Sequence, residues 1–139
     1  NFLTLELTLQ NCVGVSERGF SHLAKLNTIE RLDFYRTVIE APALKDILKA
    51  SPRLKHINLG ELFFTKNIIR IKNILIHRAC LFLGSCRAIS SMDEIAQILG
   101  THNKELISVD FWKTYSLTPI GIKYLSQCNS LEEIDIGWW

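Results

Sequence analysis

Residues 29–37 of this chain read Ile-Glu-Arg-Leu-Asp-Phe-Tyr-Arg-Thr, so apolar residues stand at the first, fourth and sixth positions and a threonine closes the segment. The same pattern, complete or nearly so, recurs at residues 4–12, 54–59, 106–114 and 131–139. The second apolar positions of the five segments are Leu7, Leu32, Ile57, Val109 and Ile134. The intervals between their successive residue numbers are 25, 25, 52 and 25. A fixed period of this length indicates a stack of like units, none of which can bury its apolar face alone.

Each segment is expected to contain a short strand. Since successive side chains of a strand point to opposite faces, the second and third apolar positions should point the same way. We predict that these pairs line the inside of the stack: Leu7 with Leu9, Leu32 with Phe34, Ile57 with Leu59, Val109 with Phe111, and Ile134 with Ile136. The residue that ends the motif, such as Cys12 or Thr37, should face inward and bond a backbone group of the loop.

Between the strands the sequence predicts four helices, at residues 16–25, 43–50, 91–101 and 118–127. Ser16 and Thr118 suit the N-cap position, and Pro119 suits the first helical position. The unit is therefore strand, loop, helix, loop, repeated in one direction. This motif at this period is typical of a leucine-rich repeat. We predict an α/β leucine-rich-repeat solenoid of about five partial repeats, with parallel strands on the concave face and helices on the convex face.

The long interval between Ile57 and Val109 marks one irregularity, and two interpretations fit it. Removing residues 61–84 would join Gly60 to Ser85 and Cys86 and complete a motif ending, which indicates an insertion. Alternatively, residues 71–76 fit the apolar pattern and could form a degenerate extra strand. We predict one leucine-rich-repeat domain over residues 1–139, with 61–84 as an insertion. Because the chain lacks an initial Met and starts and stops within repeats, we expect it to be a piece of a longer protein.

Composition excludes several classes of function. The net charge of +2 over 139 residues is too small to indicate binding to nucleic acid or to a membrane surface. The sequence shows no secretion signal and no run of about 18 apolar residues, so we expect no membrane insertion. The four cysteines, Cys12, Cys80, Cys86 and Cys128, follow the repeat rather than a disulfide framework. We therefore expect free thiols and a reducing, intracellular compartment.

Candidate catalytic and metal-ligating residues are dispersed. Of the four histidines, only His77 stands near a cysteine, Cys80, and this pair lies in the irregular segment. The motifs Cys-x-x-Cys, His-Glu-x-x-His and Gly-x-Ser-x-Gly are missing from the sequence. We expect no catalytic residues, no metal site and no cofactor, and we favour a binding protein over an enzyme.

The outward strand positions and the turns after them form the candidate recognition surface. Exposed aromatic residues beside Arg and Lys are typical of protein interfaces. The alternative, which applies best to the aspartates, is that polar strand residues only keep the surface soluble. The predicted partner-binding residues are Arg31, Asp33, Tyr35, Arg36, His56, Asn58, Asp110, Trp112, Lys113, Glu133, Asp135 and Trp138.

Several segments carry a resemblance to a known family. They are Phe-Tyr-Arg-Thr at 34–37, Leu-Gly-Ser-Cys at 83–86, Val-Asp-Phe-Trp-Lys at 109–113 and Leu-Glu-Glu-Ile-Asp-Ile-Gly-Trp at 131–138, with helix loops Val-Ser-Glu-Arg-Gly-Phe at 15–20 and Leu-Thr-Pro-Ile-Gly-Ile at 117–122. With these residues the chain resembles the F-box and leucine-rich-repeat proteins, although Thr114 and Trp139 stand where that family tends to have Cys.

The resemblance implies a non-catalytic adaptor of an SCF-type ubiquitin ligase, which feeds ubiquitin-dependent proteasomal degradation. Its repeats would hold a protein substrate on the concave face, and an F-box outside this chain would bind Skp1 and cullin. It also implies a location in the cytoplasm or at the mitochondrial surface. The alternative is a generic leucine-rich-repeat scaffold outside the ubiquitin system.

Overall fold

The computed structural model of the protein describes residues 5–60, 92–112 and 117–136, together with the backbone of residues 63–64. In chain order its elements are β1 (Leu5–Thr8), α1 (Glu17–Ser21), β2 (Ile29–Asp33), β3 (Val38–Ile39), α2 (Ala41–Lys49), β4 (His56–Asn58), β5 (Phe63–Phe64), α3 (Met92–His102), β6 (Ser108–Asp110), α4 (Pro119–Leu125) and β7 (Glu133–Asp135). None of the described helices has the length and apolar composition that crossing a membrane requires.

Five of the strands form one parallel sheet, in the order β1, β2, β4, β6, β7. Each strand aligns with its neighbour at the equivalent motif position. The aligned residues at the second apolar position are Leu7, Leu32, Ile57, Val109 and Ile134. The prediction of a mixed α/β fold with a parallel sheet and intervening helices is confirmed.

The apolar strand positions share one core with the helices. Leu32, Ile57 and Val109 are buried, and so are the third apolar residues of the same segments, Phe34, Leu59 and Phe111. The helices contribute Leu44, Ile47, Leu48, Ile95, Leu99 and Leu125 to the same cluster. Each such side chain stabilises the fold by about 1.5–3 kcal/mol when it is fully buried.

Ile134 and Ile136 are less buried than the equivalent residues of the inner strands. Their exposed fractions are 41% and 37%. The reason is that β7 is the last strand of the described sheet, so a neighbouring strand covers only one of its sides. At the opposite edge Leu7 and Leu9 are also only partly buried against the core.

The helix starts follow the predicted caps. Ser16 accepts a hydrogen bond from the Gly19 backbone N–H at 3.1 Å, and Thr118 accepts one from the Ile120 N–H at 3.2 Å. The predicted helix at 16–25 is in fact α1 followed by a 3₁₀ turn, His22–Lys25. The other three helices differ from their predicted bounds by one or two residues at either end.

Buried polar side chains join successive units. Thr37 is fully buried, and its hydroxyl donates to the Leu9 carbonyl and accepts from the Cys12 backbone N–H at 3.3 Å. This confirms for Thr37 the predicted inward role of the residue that ends the motif. Cys86 and Thr114, which end the corresponding motifs, lie outside the described residues.

A second set of hydrogen bonds between units lies where the helices end. The Asn103 side-chain amide donates to the carbonyls of Leu48 and Ser51 in the preceding unit, at 3.0 and 2.7 Å. Cys128, one repeat period after Asn103, donates through its thiol to the Leu99 carbonyl at 3.4 Å. Burial raises the pKa of the Cys128 thiol, which keeps it protonated and able to donate. Equivalent residues therefore make equivalent bonds to the unit before them.

The irregular spacing leaves the main sheet continuous. Strand β4 pairs directly with β6, although the longest interval of the pattern separates Ile57 from Val109. Strands β3 and β5 form a second parallel pair, in which Val38 aligns with Phe63 and Ile39 with Phe64, again one regular period apart. The alternative extra strand at 71–76 and the cysteines at 80 and 86 lie outside the described residues.

We predict that Asn103→Ala lowers the free energy of unfolding by about 1–3 kcal/mol, because two buried carbonyls lose their amide donor. Urea denaturation followed by circular dichroism would measure the change. The exposed neighbour Glu105 provides the control, and Glu105→Ala should change stability by less than about 0.5 kcal/mol. Equal unfolding midpoints for the two variants would contradict this role of Asn103.

Candidate protein-binding surface

The face of the main sheet that is turned away from the apolar core carries two rows of polar side chains, which we call the polar sheet face. The strand register aligns Glu6, Arg31, His56, Ser108 and Glu133 in the first row. It aligns Thr8, Asp33, Asn58, Asp110 and Asp135 in the second row. Residues of both rows line an open depression of about 360 Å³. The chain thus presents one continuous polar surface across its strands.

Three residues of the second row hold the turns that follow their strands. Asp33, Asn58 and Asp110 each accept a hydrogen bond through Oδ1 from the backbone N–H two residues further on, at 2.9, 2.9 and 2.7 Å. Such Asx turns satisfy a backbone donor that has left the strand ladder. The second row therefore has a structural role that solubility alone does not describe.

Two of the residues whose backbone N–H is bound in these turns are aromatic. Tyr35 and Trp112 follow Asp33 and Asp110, and their ring centroids lie 6.3 Å apart with 30° between the planes. Gly60 stands at the equivalent position between them, and a Cβ there would lie 3.2 Å from the Tyr35 ring. Because Gly60 has no side chain, the rings of Tyr35 and Trp112 can stack over the strand that lies between theirs. Both aromatic residues are half-buried.

Carboxylates dominate the electrostatics of the second row. Burial raises the pKa of Asp110, the charges of Asp135 and Asp33 raise it further, and the hydrogen bond from the Trp112 N–H opposes them. At the edge of this row, Gln10 donates from its amide to Asp33 at 2.5 Å.

Two side-chain pairs form within the first row. The Arg31 guanidinium lies 3.6 Å from the Glu6 carboxylate, and both side chains are about half exposed or more. His56 Nδ1 lies 2.8 Å from the Ser108 hydroxyl. Burial and the positive charge of Arg31 lower the pKa of His56 below its ordinary value, so the ring is neutral at pH 7. The first row therefore contributes little net positive charge to the polar sheet face.

The structure brings together most of the residues predicted for binding. Seven of them lie in the two rows: Arg31, Asp33, His56, Asn58, Asp110, Glu133 and Asp135. Tyr35 and Trp112 lie next to the second row, and Arg36 adopts a left-handed conformation (φ 54°) in the turn after Tyr35. Lys113 and Trp138 lie outside the described residues.

Other chemistry is sparse in the described part of the chain. Within residues 5–60, 92–112 and 117–136, no group of three His, Cys, Asp or Glu side chains could hold a metal ion. Cys12 and Cys128 are free thiols. The polar sheet face can thus offer carboxylates, hydrogen-bonding groups and aromatic surface to a partner.

Comparison with known proteins shows what this chain is similar to. No family model matches it. It is 34% identical over 134 residues to F-box/LRR-repeat protein 4 from Bos taurus, and the match covers 96% of this chain. The chain spans 18% of the length of that relative. The resemblance to the F-box and leucine-rich-repeat family predicted from the sequence is confirmed.

We predict that Asp110→Asn raises the thermal midpoint at pH 7, because the amide keeps an acceptor for the turn, as Asn58 does, while the half-buried charge disappears. The folded-state pKa of Asp110 lies above its ordinary value, so the charge destabilises the fold above that pKa. The advantage of the variant should shrink as the pH falls through the folded-state pKa towards about 4. Calorimetry at several pH values would measure it.

Asp110→Ala is the matched comparison, since it removes both the charge and the acceptor. It should be less stable than Asp110→Asn by about 0.5–1.5 kcal/mol. Equal stability of the two variants would show that the turn hydrogen bond contributes nothing.

Proposed function

We propose that this chain, as a stretch of repeats of the F-box and leucine-rich-repeat kind, holds the substrate of an SCF-type ubiquitin ligase on its polar sheet face. The observation that carries the proposal is the Tyr35–Trp112 pair, which the turns of the second row hold beside the open depression. Preorganised aromatic groups in a polar surround are typical of binding hot spots.

In this proposal the repeats bind the substrate and catalyse no reaction. The F-box of the longer protein would bind Skp1 and through it the cullin, and the repeats would position the substrate for ubiquitin transfer by other subunits. The free thiols of Cys12 and Cys128 are compatible with a reducing compartment in the cell.

We also propose a solenoid with the sheet on its concave side. Two observations support it: the strands stack in sequence order in one parallel sheet, and each helix packs against the next one along the chain. This arrangement would place the polar sheet face on the concave, substrate-binding side, as in other repeat proteins.

The domain organisation is proposed to be one repeat domain with an insertion. Strand β5 pairs with β3 at the regular period, which supports repeat continuity as far as Phe64. After β3 only Glu40 separates Ile39 from the next helix, whereas residues 65–91 separate Phe64 from Met92, the first residue of α3. These distances favour an insertion at residues 65–90 over the one at 61–84 that motif counting suggested.

We predict that Tyr35→Ala and Trp112→Ala, made in the full-length protein, reduce substrate ubiquitination in cells at least about fivefold, as expected for loss of about 1 kcal/mol or more of binding energy at an aromatic anchor. Quantitative proteomics of ubiquitin remnants would measure the substrates, and affinity purification would measure bound Skp1.

Skp1 binding should stay unchanged, because the F-box is a separate segment, and cooperative melting of the repeats should persist. Unaltered ubiquitination with intact folding would contradict the proposal. Capture of a partner through Tyr35 and Trp112 in a protein that never co-purifies with Skp1 would instead identify a scaffold outside the ubiquitin system.

We predict that deleting residues 65–90 leaves a cooperatively folded domain, because Ser91 would then link Phe64 to Met92 as Glu40 links Ile39 to Ala41. Thermal unfolding by circular dichroism would measure it. The matched comparison is deletion of 61–84, which removes β5 and should lower the midpoint by several degrees. A deletion of 65–90 that fails to fold would overturn the insertion.

A further inference from the structure

Resting on the proposed function, we propose that the substrate segment recognised here is basic, and that one of its Lys or Arg side chains lies on the Tyr35–Trp112 rings with its charge towards Asp33, Asp110 and Asp135. The proposal commits to a positively charged peptide segment as the occupant of the polar sheet face. It is argued from the placement of the rings, from the sign of the surrounding charge and from the shape of the surface.

The aromatic pair provides the contact for the hydrocarbon stem and the cationic head. The two rings are held 6.3 Å apart and half-buried at the ends of β2 and β6. A cation over the face of a Trp or Tyr is attracted by the negative ring face, by about 0.5–2 kcal/mol depending on its desolvation. Because both rings follow Asx turns, their backbone positions are set before the ligand arrives.

The second row determines the sign of the charge that fits. Asp33, Asp110 and Asp135 stand at the same motif position in three strands, and only Asn58 interrupts them. The charges that act most on Asp110 are those of the other two aspartates, and both raise its pKa. A cation above this row would relieve the repulsion and lower that pKa again.

Of the basic residues that the structure describes on this face, Arg31 precedes the second row and Arg36 follows it. Arg31 is in the first row and lies against Glu6, and Arg36 lies in the turn beyond Tyr35. A phosphate or another anionic group placed over the second row would meet carboxylates before it met either guanidinium. The surface is therefore matched to a cation, and an organic one, since the described carboxylates form no metal-binding group.

The turn chemistry allows the charge to be tested apart from the fold. Asn58 keeps the same Oδ1 hydrogen bond as its aspartate neighbours, with its acceptor 2.9 Å from the Gly60 N–H. Asp33→Asn and Asp110→Asn should therefore remove two negative charges and preserve both turns. Asp46, exposed on α2 in the helical layer, offers a carboxylate for the control Asp46→Asn.

The experiment is a fluorescence-anisotropy titration of this chain with three labelled nine-residue peptides of glycine and serine that carry two Arg, two Glu or neither. We expect only the Arg peptide to bind measurably at low salt, with an affinity that falls as salt is added. Asp33→Asn with Asp110→Asn should weaken binding at least tenfold, and Asp46→Asn less than twofold.

The aromatic contact needs its own pair of variants. Tyr35→Leu should weaken binding of the Arg peptide about threefold to tenfold, whereas Tyr35→Phe, which keeps the ring, should bind as the unaltered chain does. Circular dichroism would verify folding of each variant. Binding of the Glu peptide, or equal weakening by Asp46→Asn and the double aspartate variant, would overturn the inference and identify non-specific attraction.

This result is separable from a failure of the proposed function. If Tyr35→Ala and Trp112→Ala abolish substrate ubiquitination while Asp33→Asn with Asp110→Asn leaves both it and peptide binding unchanged, the recognition surface stands and the basic ligand is wrong. If neither set of variants affects ubiquitination, the substrate-binding role of this face is wrong as well.

Discussion

Parallel pairing in a fixed register is the constraint on which every other feature of this chain depends. Because β1, β2, β4, β6 and β7 align at equivalent motif positions, each position becomes a row that crosses the sheet. The second apolar position becomes a row that packs on the helices in the interior of the sheet. The position after it becomes the second polar row. Tyr35 and Trp112 occupy equivalent positions just beyond their strands, and the same register therefore places their rings next to each other. A shift by one residue in any strand would exchange the apolar and polar faces.

The same register explains how polar groups can be buried between units. Thr37, Asn103 and Cys128 each bond backbone groups of the preceding unit, so the loops of one repeat are satisfied by side chains of the next. Asp93 on α3 acts in the opposite direction, on the start of the following helix, since its carboxylate accepts from the backbone N–H groups of Thr118 and Gly121 at 2.8 and 3.0 Å. Unsatisfied, such groups would cost about 1–3 kcal/mol each. The units are thus chemically incomplete without their neighbours.

The period and the alternation of the strand residues were enough to predict the parallel sheet and the two polar rows. They were enough because the residues that align across a parallel sheet are those one repeat period apart, and the period can be read from the sequence. The exposure of Ile134 was not predicted, since burial depends on whether a neighbouring strand follows. The Asx turns had a signal, because an Asp or Asn stands two residues before Tyr35, Gly60 and Trp112. The prediction gave the aspartates a role in binding, or alternatively in solubility, and none in the turns, so this signal was missed.

Contacts between side chains on different helices could not be predicted from the sequence, for a different reason. The role of Asp93 requires knowing that α3 and α4 meet with a particular offset, and its partner Gly121 is close-packed, with a hypothetical Cβ 2.4 Å from the carboxylate. Spacing alone does not specify that offset. Likewise, the repeat motif covers only the strands of the main sheet and gives no signal for β5, whose pairing with β3 bears on where the irregular segment begins.

The turns of the second row require an oxygen acceptor and make no demand on charge, and this has an evolutionary consequence. Asp and Asn codons differ by a single base, so one point mutation can switch a site such as 33, 58 or 110 between negative and neutral while its loop stays in place. The charge of the second row can therefore change by single mutations, each of which preserves the turn and with it the fold.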